Sequence, residues 1–444
     1  MNKEFHKKQN FFSFSDIDSE RKDRIMKFTS TEATPAPHVP PGVLRLTGAA
    51  KEDIPMYRIQ TMNKISPVGL NRFPSELYEV GDAVQDPQGI LVRSAKLLDL
   101  EFTPSLLAIA RAGVGVNNIP LDRCAAAGIP VFSTPGANAN AVKELVICAM
   151  LMGSRDIPGA IRWVREQAAS GVDVSTVVEK GKSAFIGPEL YKKTLGIIGL
   201  GAIGSIVANT AISLGMDVYG YDPFLSVDTA LRLDRHVHVV KDINDLYKRS
   251  DYITMHIHYT EKTAHMIDAS AIAAMKRGVR VINLARGEIV DDEAMLTALD
   301  TGMVAAYITD FPNNRLLTAP HVIAMPHLGA STPESEQNCA AMAVDTLRDY
   351  LESGNIRSSV NLPEMTMDRS GVQRLCVLHK NVPGMLANIT SLFGRDGVNV
   401  ENLSNKSRGD YAYTMVDLGS KVGDNVIEDV RRTANVIRVR SLEW

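Results

Sequence analysis

The chain has 444 residues, with 48 basic and 51 acidic side chains and a formal net charge of −3 at pH 7. This length allows two or three domains with cores of their own, and the charge balance excludes a general attraction to nucleic acid or to an anionic membrane. Four cysteines without paired spacing favour free thiols over disulfides and predict a cytoplasmic protein. They are Cys124, Cys148, Cys339 and Cys376.

The first 55 residues are predicted to be a largely disordered extension. They contain a proline-rich stretch from Pro35 to Pro41 and no apolar segment of the kind that opens a signal peptide. The first strand-like segment runs from Tyr57 to Met62, so we expect the fold to begin at residue 56.

Short apolar strands alternate with helical segments from residue 56 to residue 326. This alternation predicts two α/β units with doubly wound parallel sheets, at residues 56–140 and 141–326. A helix from Pro333 to Ser353 is expected to return to the first unit, which residues 327–360 would complete. The predicted strands are Gly89 to Val92, Leu106 to Ala110 and Ile129 to Phe132, then Val237 to Val240, Asp251 to Ile257, Val279 to Leu284, Val304 to Thr309 and Val322 to Met325.

A Gly-x-Gly-x-x-Gly turn follows the apolar strand that starts at Thr194. Gly199 allows the tight turn, Gly201 lets the backbone approach a pyrophosphate, and Gly204 lets the next helix pack closely on its strand. The helix N-terminus then faces the anion. The pattern predicts a dinucleotide site that includes Ala202 and Ile203.

Asp222, at the end of the next strand, is expected to select the cofactor. Its carboxylate would accept hydrogen bonds from ribose hydroxyls, whereas a 2′-phosphate at about 4 Å would be repelled by about 4 kcal/mol. NAD is therefore predicted over NADP. The alternative is a solvated acid at a strand end.

Two further side chains follow strands of the second sheet, where open α/β folds bind their ligands. Arg286 suits a carboxylate in two parallel hydrogen bonds, and His327 suits proton transfer near neutral pH. The alternatives are an arginine paired with a nearby helix and an ordinary core or loop histidine. Two histidine pairs, His236 with His238 and His256 with His258, alternate on predicted strands but lack further ligands, so no metal site is predicted.

The C-terminal region is predicted to be a separate module. Asn361 to Gly371 is a plausible linker, and residues 372–444 have the order of a βαββαβ ferredoxin-like fold. Its predicted elements are Arg374 to His379, Gly384 to Arg395, Val398 to Ser404, Tyr411 to Leu418, Asn425 to Thr433 and Val436 to Arg440.

From residue 56 onward the chain resembles the D-2-hydroxyacid dehydrogenase family. The resemblance is carried by Arg111 to Asn118, the glycine turn, Asn283 to Gly287 with Val290 and Asp291, and Pro326 to Thr332. It implies a flavodoxin-like substrate domain, a Rossmann NAD domain, an active site in the cleft between them, and a homodimer or homotetramer. His327 and Arg286 would be the catalytic residues, and Leu284, Ala285, Asp310, Gly329 and Ala330 would complete the cofactor site.

The resemblance also implies a substrate, 3-phospho-D-glycerate, which NAD would oxidise to 3-phosphohydroxypyruvate at the entry to serine synthesis. A phosphate with about −2 charge needs several cations or backbone amides. The implied substrate-binding residues are Arg93, Ser94, Arg111, Gly113 and Arg155. Each arginine taken singly is equally a candidate surface residue.

One position departs from the family pattern. The family usually carries a glutamate between the Arg286 and His327 motifs that orients the histidine, and Asp310 to Leu316 contains none. We therefore expect a weaker general base, with a basic plateau of the pH–rate profile that extends down to about pH 6.

The C-terminal module resembles the amino-acid-sensing ACT domains in His379 to Leu386 and Gly397 to Val400. The resemblance implies that His379, Asn381 and Asn399 bind an L-serine effector. The alternative for these residues is a turn without a ligand. For the whole chain, the alternatives are a dehydrogenase of an unphosphorylated acid and a non-catalytic NAD-sensing protein.

Overall fold

The computed structural model describes residues 56–444, and the predicted disorder of residues 1–55 lies outside the described residues. The described chain builds three sheets. The first contains five parallel strands in the order β2-β1-β3-β4-β5, which is the flavodoxin-like order. Its elements are β1 (Tyr57–Thr61), α1 (Pro67–Leu70), β2 (Tyr78–Gly81), β3 (Gly89–Val92), β4 (Ala108–Arg111), α2 (Leu121–Ala126) and β5 (Val131–Phe132).

Three helices connect the first sheet to the second. They are α3 (Ala139–Arg155), α4 (Ile157–Ala169) and α5 (Val174–Gly181). The predicted domain boundary between residues 140 and 141 falls in the first turn of α3, so this helix belongs almost entirely to the second predicted domain.

The second sheet has seven parallel strands in the order β12-β11-β10-β9-β6-β7-β8. Strand order reverses between β6 and β9, and the crevice beside such a switch point is where these sheets bind ligands. The elements are β6 (Thr194–Ile198), α6 (Ala202–Ser213), β7 (Asp217–Tyr221), α7 (Val227–Arg232), β8 (Val237–Val240), α8 (Ile243–Arg249), β9 (Tyr252–Met255), α9 (Ala269–Ala273), β10 (Val279–Asn283), α10 (Asp292–Asp300), β11 (Val304–Thr309) and β12 (Val322–Ala324).

The long helix α11 (Pro333–Ser353) returns to the first sheet and packs on it, as predicted. Thr332 caps its N-terminus by accepting a hydrogen bond from the Ser335 amide. Its apolar face joins the core of the first sheet through residues such as Ala343, Val344 and Leu347. At about 1.5 Å per residue the helix is about 31 Å long, so its two ends lie far apart.

The third sheet is antiparallel, in the order β14-β15-β13-β16. Its elements are β13 (Gln373–Lys380), α12 (Met385–Arg395), β14 (Val400–Arg408), β15 (Tyr411–Leu418), α13 (Asp424–Arg432) and β16 (Val436–Glu443). Together the three sheets confirm the predicted fold class of two parallel α/β sheets followed by a βαββαβ module.

One face of the third sheet is docked on the C-terminal end of α11. The last carbonyl groups of a helix lack partners within it, and here side chains of the module supply them. Arg440 donates to the carbonyl oxygens of Tyr350 and Leu351, Arg374 donates to that of Ser353, and Tyr413 donates to that of Gly354. The C-terminal module therefore caps the C-terminal end of α11 through these hydrogen bonds. No helix in the described part of the chain is long and apolar enough to cross a membrane.

Candidate active site in the cleft beside the glycine turn

The glycine turn has the geometry that close approach of an anion requires. Gly199 has a φ of 89° and its amide donates to the carbonyl oxygen of Tyr221. A Cβ on Gly201 would enter open space, and a Cβ on Gly204 would lie 1.9 Å from the carbonyl oxygen of Gly199. The open side therefore lies above Gly201, at the start of α6, where the backbone amides of Ala202 and Ile203 begin the helix.

Asp222 follows β7 and is fastened beside this turn. One carboxylate oxygen accepts from the Leu200 amide at 2.9 Å, and the other accepts from the Phe224 amide at 2.9 Å. Each oxygen keeps a second lone pair for a ligand. The acid is thus an oriented part of the turn and is not a freely solvated strand end.

Three arginines converge at the carboxyl end of the first sheet. The Nε of Arg111 donates to the carbonyl oxygen of Arg93 at 3.0 Å. Burial, followed by the charge of Arg286 and more weakly that of Arg93, lowers the pKa of the Arg111 guanidinium below its ordinary value. The three residues therefore form a cluster of like charge, which favours an anion between them.

Two glycines make room for this cluster. A Cβ on Gly113 would lie 2.8 Å from Nη1 of Arg111, and a Cβ on Gly115 would lie 2.8 Å from Nη2 of Arg286. Gly113 was predicted as a site residue, whereas Gly115 was not. The second contact brings Arg286, which follows β10 of the second sheet, against a loop of the first sheet.

Phe311 contacts both predicted catalytic side chains. The centre of its ring lies 5.7 Å from the guanidinium carbon of Arg286 and 4.7 Å from the centre of the His327 ring, to which it is inclined by 47°. Aromatic rings attract cations on their faces and hold neighbouring rings in tilted arrangements. The ring therefore links the guanidinium and the imidazole.

Asp310 is buried next to this pair. Its backbone oxygen accepts from the His327 amide at 2.9 Å, and one carboxylate oxygen accepts from the Gly329 amide at 3.0 Å. The other carboxylate oxygen has no hydrogen-bond partner among residues 56–444. Burial raises the pKa of Asp310 above its ordinary value, while the Gly329 amide and the charges of His327 and Arg286 oppose that shift. A buried acceptor without a donor is suited to a ligand amide.

The later part of the segment without the family glutamate, from Asn313 to Leu316, is bound to the start of α10. Asn313 donates to Asp292 at 2.7 Å, and its side-chain oxygen accepts from the amides of Arg315 and Leu316. Arg315 pairs with Glu293. A cavity of about 1010 Å³ opens between this segment, His327 and the start of α10. Asp310 is the carboxylate of this segment, and the charge of His327 acts to lower its pKa.

The remaining predicted cofactor residues follow strands of the second sheet. Leu284 and Ala285 are buried directly after β10, and Gly329 and Ala330 follow His327. Ser94 follows Arg93, and its amide donates to Asn63 at 3.0 Å. These residues all lie at the carboxyl ends of the strands.

Arg155 is an exception, and the expectation that it contributes to the anion site within this chain is wrong. It ends α3, where the carbonyl oxygen of Gly153 accepts from Arg280 and the Ser154 hydroxyl bonds to Tyr252. Tyr252 and Arg280 lie at the amino ends of β9 and β10. Arg155 is therefore at the opposite edge of the sheet from Arg286.

Sequence reasoning missed several polar residues of the cleft. Thr134, Asn138 and Asn118 each have a buried side-chain oxygen that has no partner in the described part of the chain. A Cβ on Gly136, which lies between the first two, would be 3.3 Å from the Cβ of Ala202, so this loop faces the glycine turn. The available signal was that Ser133 and Thr134 follow a strand of a parallel sheet. Glu336, described below, carried no signal.

The predicted effector residues differ in accessibility. His379 is buried, and both ring nitrogens have partners, the carbonyl oxygen of Lys380 and the hydroxyl of Thr414, each at 2.8 Å. Asn381 donates to the carbonyl oxygen of Gly409, and Asn399 donates to Glu401. Asn381 and Asn399 keep free acceptors, whereas His379 would have to release a partner to bind a ligand.

The expectation that each histidine pair lies on a strand is wrong for both pairs, because His238 is the one histidine of the four that lies in a strand. His256 and His258 follow β9, which ends at Met255. His256 bonds to Thr254 at 3.2 Å, and burial lowers its pKa to about 4. His238 lies in β8 and stacks on Tyr219, while His236 precedes that strand and bonds to Asp234.

Comparison with known proteins gives concordant results. Residues 147–329 match the family model described as D-isomer specific 2-hydroxyacid dehydrogenase, NAD binding domain. A D-3-phosphoglycerate dehydrogenase of Synechocystis sp. is 36% identical over 71% of this chain and 56% of its own length. That of Haemophilus influenzae is 31% identical over 82% of this chain and 88% of its own length.

Among solved structures, the NAD⁺-bound 3-phosphoglycerate dehydrogenase of Entamoeba histolytica is similar, with a TM-score of 0.53 and 26% identity. The match covers 69% of this chain and 99% of that one. The chain spans only 55 to 60% of the length of three of the relatives, from Synechocystis sp., Methanocaldococcus jannaschii and Bacillus subtilis.

Proposed function

Because the chain belongs to the family of D-isomer-specific 2-hydroxyacid dehydrogenases, we propose that it oxidises 3-phospho-D-glycerate to 3-phosphohydroxypyruvate with NAD. The product is the precursor from which serine is made. The observation that carries the proposal is the convergence of Arg286, Arg111 and Arg93, together with the Phe311 ring that contacts both Arg286 and His327, because this substrate brings a carboxylate and a phosphate to one site.

The residues of the second sheet fit NAD. The open space above Gly201 fits a pyrophosphate, and the free lone pairs of Asp222 fit the ribose hydroxyls. The buried, unpartnered oxygen of Asp310 fits the carboxamide of the nicotinamide ring. Bound NAD supplies the acceptor for the hydride that leaves C2 of the substrate.

His327 is proposed as the general base that removes the proton of the C2 hydroxyl. Arg286 would hold the substrate carboxylate in two parallel hydrogen bonds and polarise the C2 oxygen. The contact of Arg286 with Gly115 supports a site formed between the two sheets. In the reverse direction the imidazolium returns the proton to the C2 oxygen.

The phosphate is assigned to Arg93 and Arg111, with Ser94 and Gly113 beside them. Within residues 56–444, Glu336 is the one carboxylate that pairs with the cluster, so an added anion relieves the repulsion between guanidinium groups. The unpartnered oxygens of Thr134 and Asn138 suit the hydroxyl groups of the substrate or cofactor.

The imidazole is proposed to be oriented without the family glutamate. Phe311 contacts its ring and also contacts Arg286, while Asp310 supplies a negative charge nearby. Phe311 would be a positioning residue, since it touches the two catalytic groups and has no proton to exchange.

We extend the proposal to regulation. The C-terminal module would bind L-serine at Asn381 and Asn399, whose amide groups offer both a donor and an acceptor to a zwitterion. The support is the attachment of the module to the end of α11, whose first residue, Pro333, follows His327 closely in the chain. His379 would take part only if it released Thr414 or Lys380.

A homodimer or homotetramer in the cytoplasm is proposed as the working form. Helices α4 and α5 leave apolar side chains exposed, among them Ile161 at 51% and Val178 at 37%. A second copy would cover them. The domain assignment is part of the same proposal: residues 56–140 with 327–360 for the substrate, 141–326 for NAD and 372–444 for the effector.

The test is NADH formation from NAD with 3-phospho-D-glycerate, measured against a panel of unphosphorylated 2-hydroxyacids. The proposal predicts that kcat/KM is highest for the phosphorylated acid. A dehydrogenase of an unphosphorylated acid is the second candidate, and it is favoured by the carboxylate of Glu336 on Arg93. A higher kcat/KM for one of those acids would select it, and NAD binding without turnover on any acid would indicate an NAD-sensing protein.

A further inference from the structure

A carboxylate lies inside the arginine cluster. Oε1 of Glu336 is 2.7 Å from Nη2 of Arg93, and the two side chains are 44% and 40% exposed. Among the residues from 56 to 444, this is the one ion pair formed by Arg93, Arg111 or Arg286. The cluster proposed for the substrate phosphate therefore already holds an anion of the protein's own.

The backbone on both sides fixes this contact. The carbonyl oxygen of Arg93 accepts from Arg111 and Asn118, and its amide donates to Asn63. Glu336 lies in the first turn of α11, where the Thr332 cap and the packing of the helix define its position. Both backbones are held, so a ligand displaces the glutamate only by rotating its side chain.

The charges make Glu336 a competitor of the substrate. A phosphate of about −2 charge must displace the Glu336 carboxylate from Arg93, and the carboxylate then remains close to the bound phosphate. With about 5 Å between the groups and a water-like dielectric, the repulsion amounts to roughly a tenfold loss of affinity. An acid without a phosphate uses Arg286 for its carboxylate and avoids most of this repulsion.

We propose that Glu336 is a specificity-determining residue, a displaceable counter-anion that weakens the binding of phosphorylated acids at Arg93. The inference rests on the proposed function and assigns this side chain a role in substrate selection. Glu336 contacts the anion site and takes no part in the transfer of hydride or proton.

The test compares two variants, Glu336→Gln and Glu334→Gln. Both remove one negative charge from the first turn of α11 and both keep the size of the side chain, but Glu334 has no ion pair with the cluster. For Glu336→Gln we expect the KM for 3-phospho-D-glycerate to fall about tenfold, with kcat within about twofold of the parent. The KM for unphosphorylated D-glycerate is expected to change less than about twofold, and Glu334→Gln should match the parent in all three values.

Calorimetric titration of inorganic phosphate into the NAD-loaded full chain gives a readout that needs no turnover. The Kd for phosphate should fall about tenfold in Glu336→Gln. If the parent oxidises 3-phospho-D-glycerate but the two variants do not differ in KM or in phosphate affinity, the inference is wrong. Weaker phosphate binding in Glu336→Gln would also overturn it. Tighter phosphate binding without NADH formation in any protein would support the role of Glu336 and refute the proposed function instead.

Discussion

The ion pair between Arg374 and Asp417 is expected to control the docking of the C-terminal module. Both side chains are completely buried. All five N–H groups of the guanidinium are used: two bond to Asp417 at 2.6 and 2.7 Å, and three bond to the carbonyl oxygens of Ser353, Met367 and Asp368. One side chain thus joins the end of α11, the linker and two strands.

Replacing Asp417 with Asn keeps the shape and removes the charge, so the guanidinium is left buried without its counter-ion. Breaking such a pair from one side typically costs about 3 to 5 kcal/mol. Asp417 also accepts from the amide and the hydroxyl of Ser370, at 2.9 and 3.0 Å, and Asn retains an oxygen for one of these bonds. We therefore expect Asp417→Asn to lower the free energy of unfolding by about 3 kcal/mol, the lower end of that range.

Urea unfolding followed by Trp444 fluorescence measures this change, because the indole lies 5.3 Å from the guanidinium carbon of Arg374. A Trp163→Phe background makes Trp444 the sole tryptophan of the chain. The control is Glu428→Gln, which removes the exposed partner of Arg432 and should cost less than about 1 kcal/mol. The double variant Arg374→Met with Asp417→Leu should be less destabilised than Asp417→Asn. Equal stabilities of Asp417→Asn and Glu428→Gln would refute the reasoning.

Other predictions concern the cofactor, the base, pH and the effector. Asp222→Ala should reduce the preference for NAD over NADP by up to about a thousandfold, and an unchanged ratio of the two kcat/KM values would contradict the cofactor assignment. Phe311→Leu should lower kcat about tenfold with little change in the KM for NAD, and Phe311→Tyr should keep kcat near that of the parent. Equal kcat values for the parent and both variants would contradict the positioning role of Phe311. Burial lowers the pKa of His256 to about 4, so the unfolded chain takes up the proton first, and the free energy of unfolding should fall as the pH drops from about 6.5 to about 4. His256→Gln should remove this dependence when urea unfolding is compared at pH 7 and pH 5. The same loss of stability between the two pH values in the variant and the parent would count against it. Millimolar serine should reduce NADH formation, whereas full activity would mean that the module has a structural role only.

Elements with a strong local signal could be predicted from the sequence. The strands Val304–Thr309 and Tyr411–Leu418 and the helix Pro333–Ser353 have the predicted bounds. Alternating or continuous apolar residues define the two strands, and the Thr-Pro start defines the helix. The glycine turn was equally local, because its glycines and its strand are contiguous.

The sequence did not predict features that depend on contacts between segments far apart in the chain. Strand β9 ends before His256, at the point where the chain comes close to the glycine turn: a Cβ on Gly199 would lie 2.6 Å from the carbonyl oxygen of His256. The pair of Arg93 with Glu336 joins residues more than 200 positions apart, and so does the bond from Arg438 to the carbonyl oxygen of Leu106. Arg155 was misjudged for the same reason, since only the path of α3 shows which edge of the sheet it reaches.

The central claim is that His327 and Arg286 act together in the oxidation of a phosphorylated 2-hydroxyacid by NAD, His327 as the general base and Arg286 as the group that binds the carboxylate. The most direct measurement is the initial rate of NADH formation from NAD and 3-phospho-D-glycerate by the parent, by His327→Gln and by Arg286→Gln, with exposed His236→Gln as the control. The account predicts that kcat falls at least about a hundredfold in His327→Gln, that kcat/KM falls at least as far in Arg286→Gln, and that the control matches the parent. Turnover in His327→Gln at the rate of the parent would contradict it.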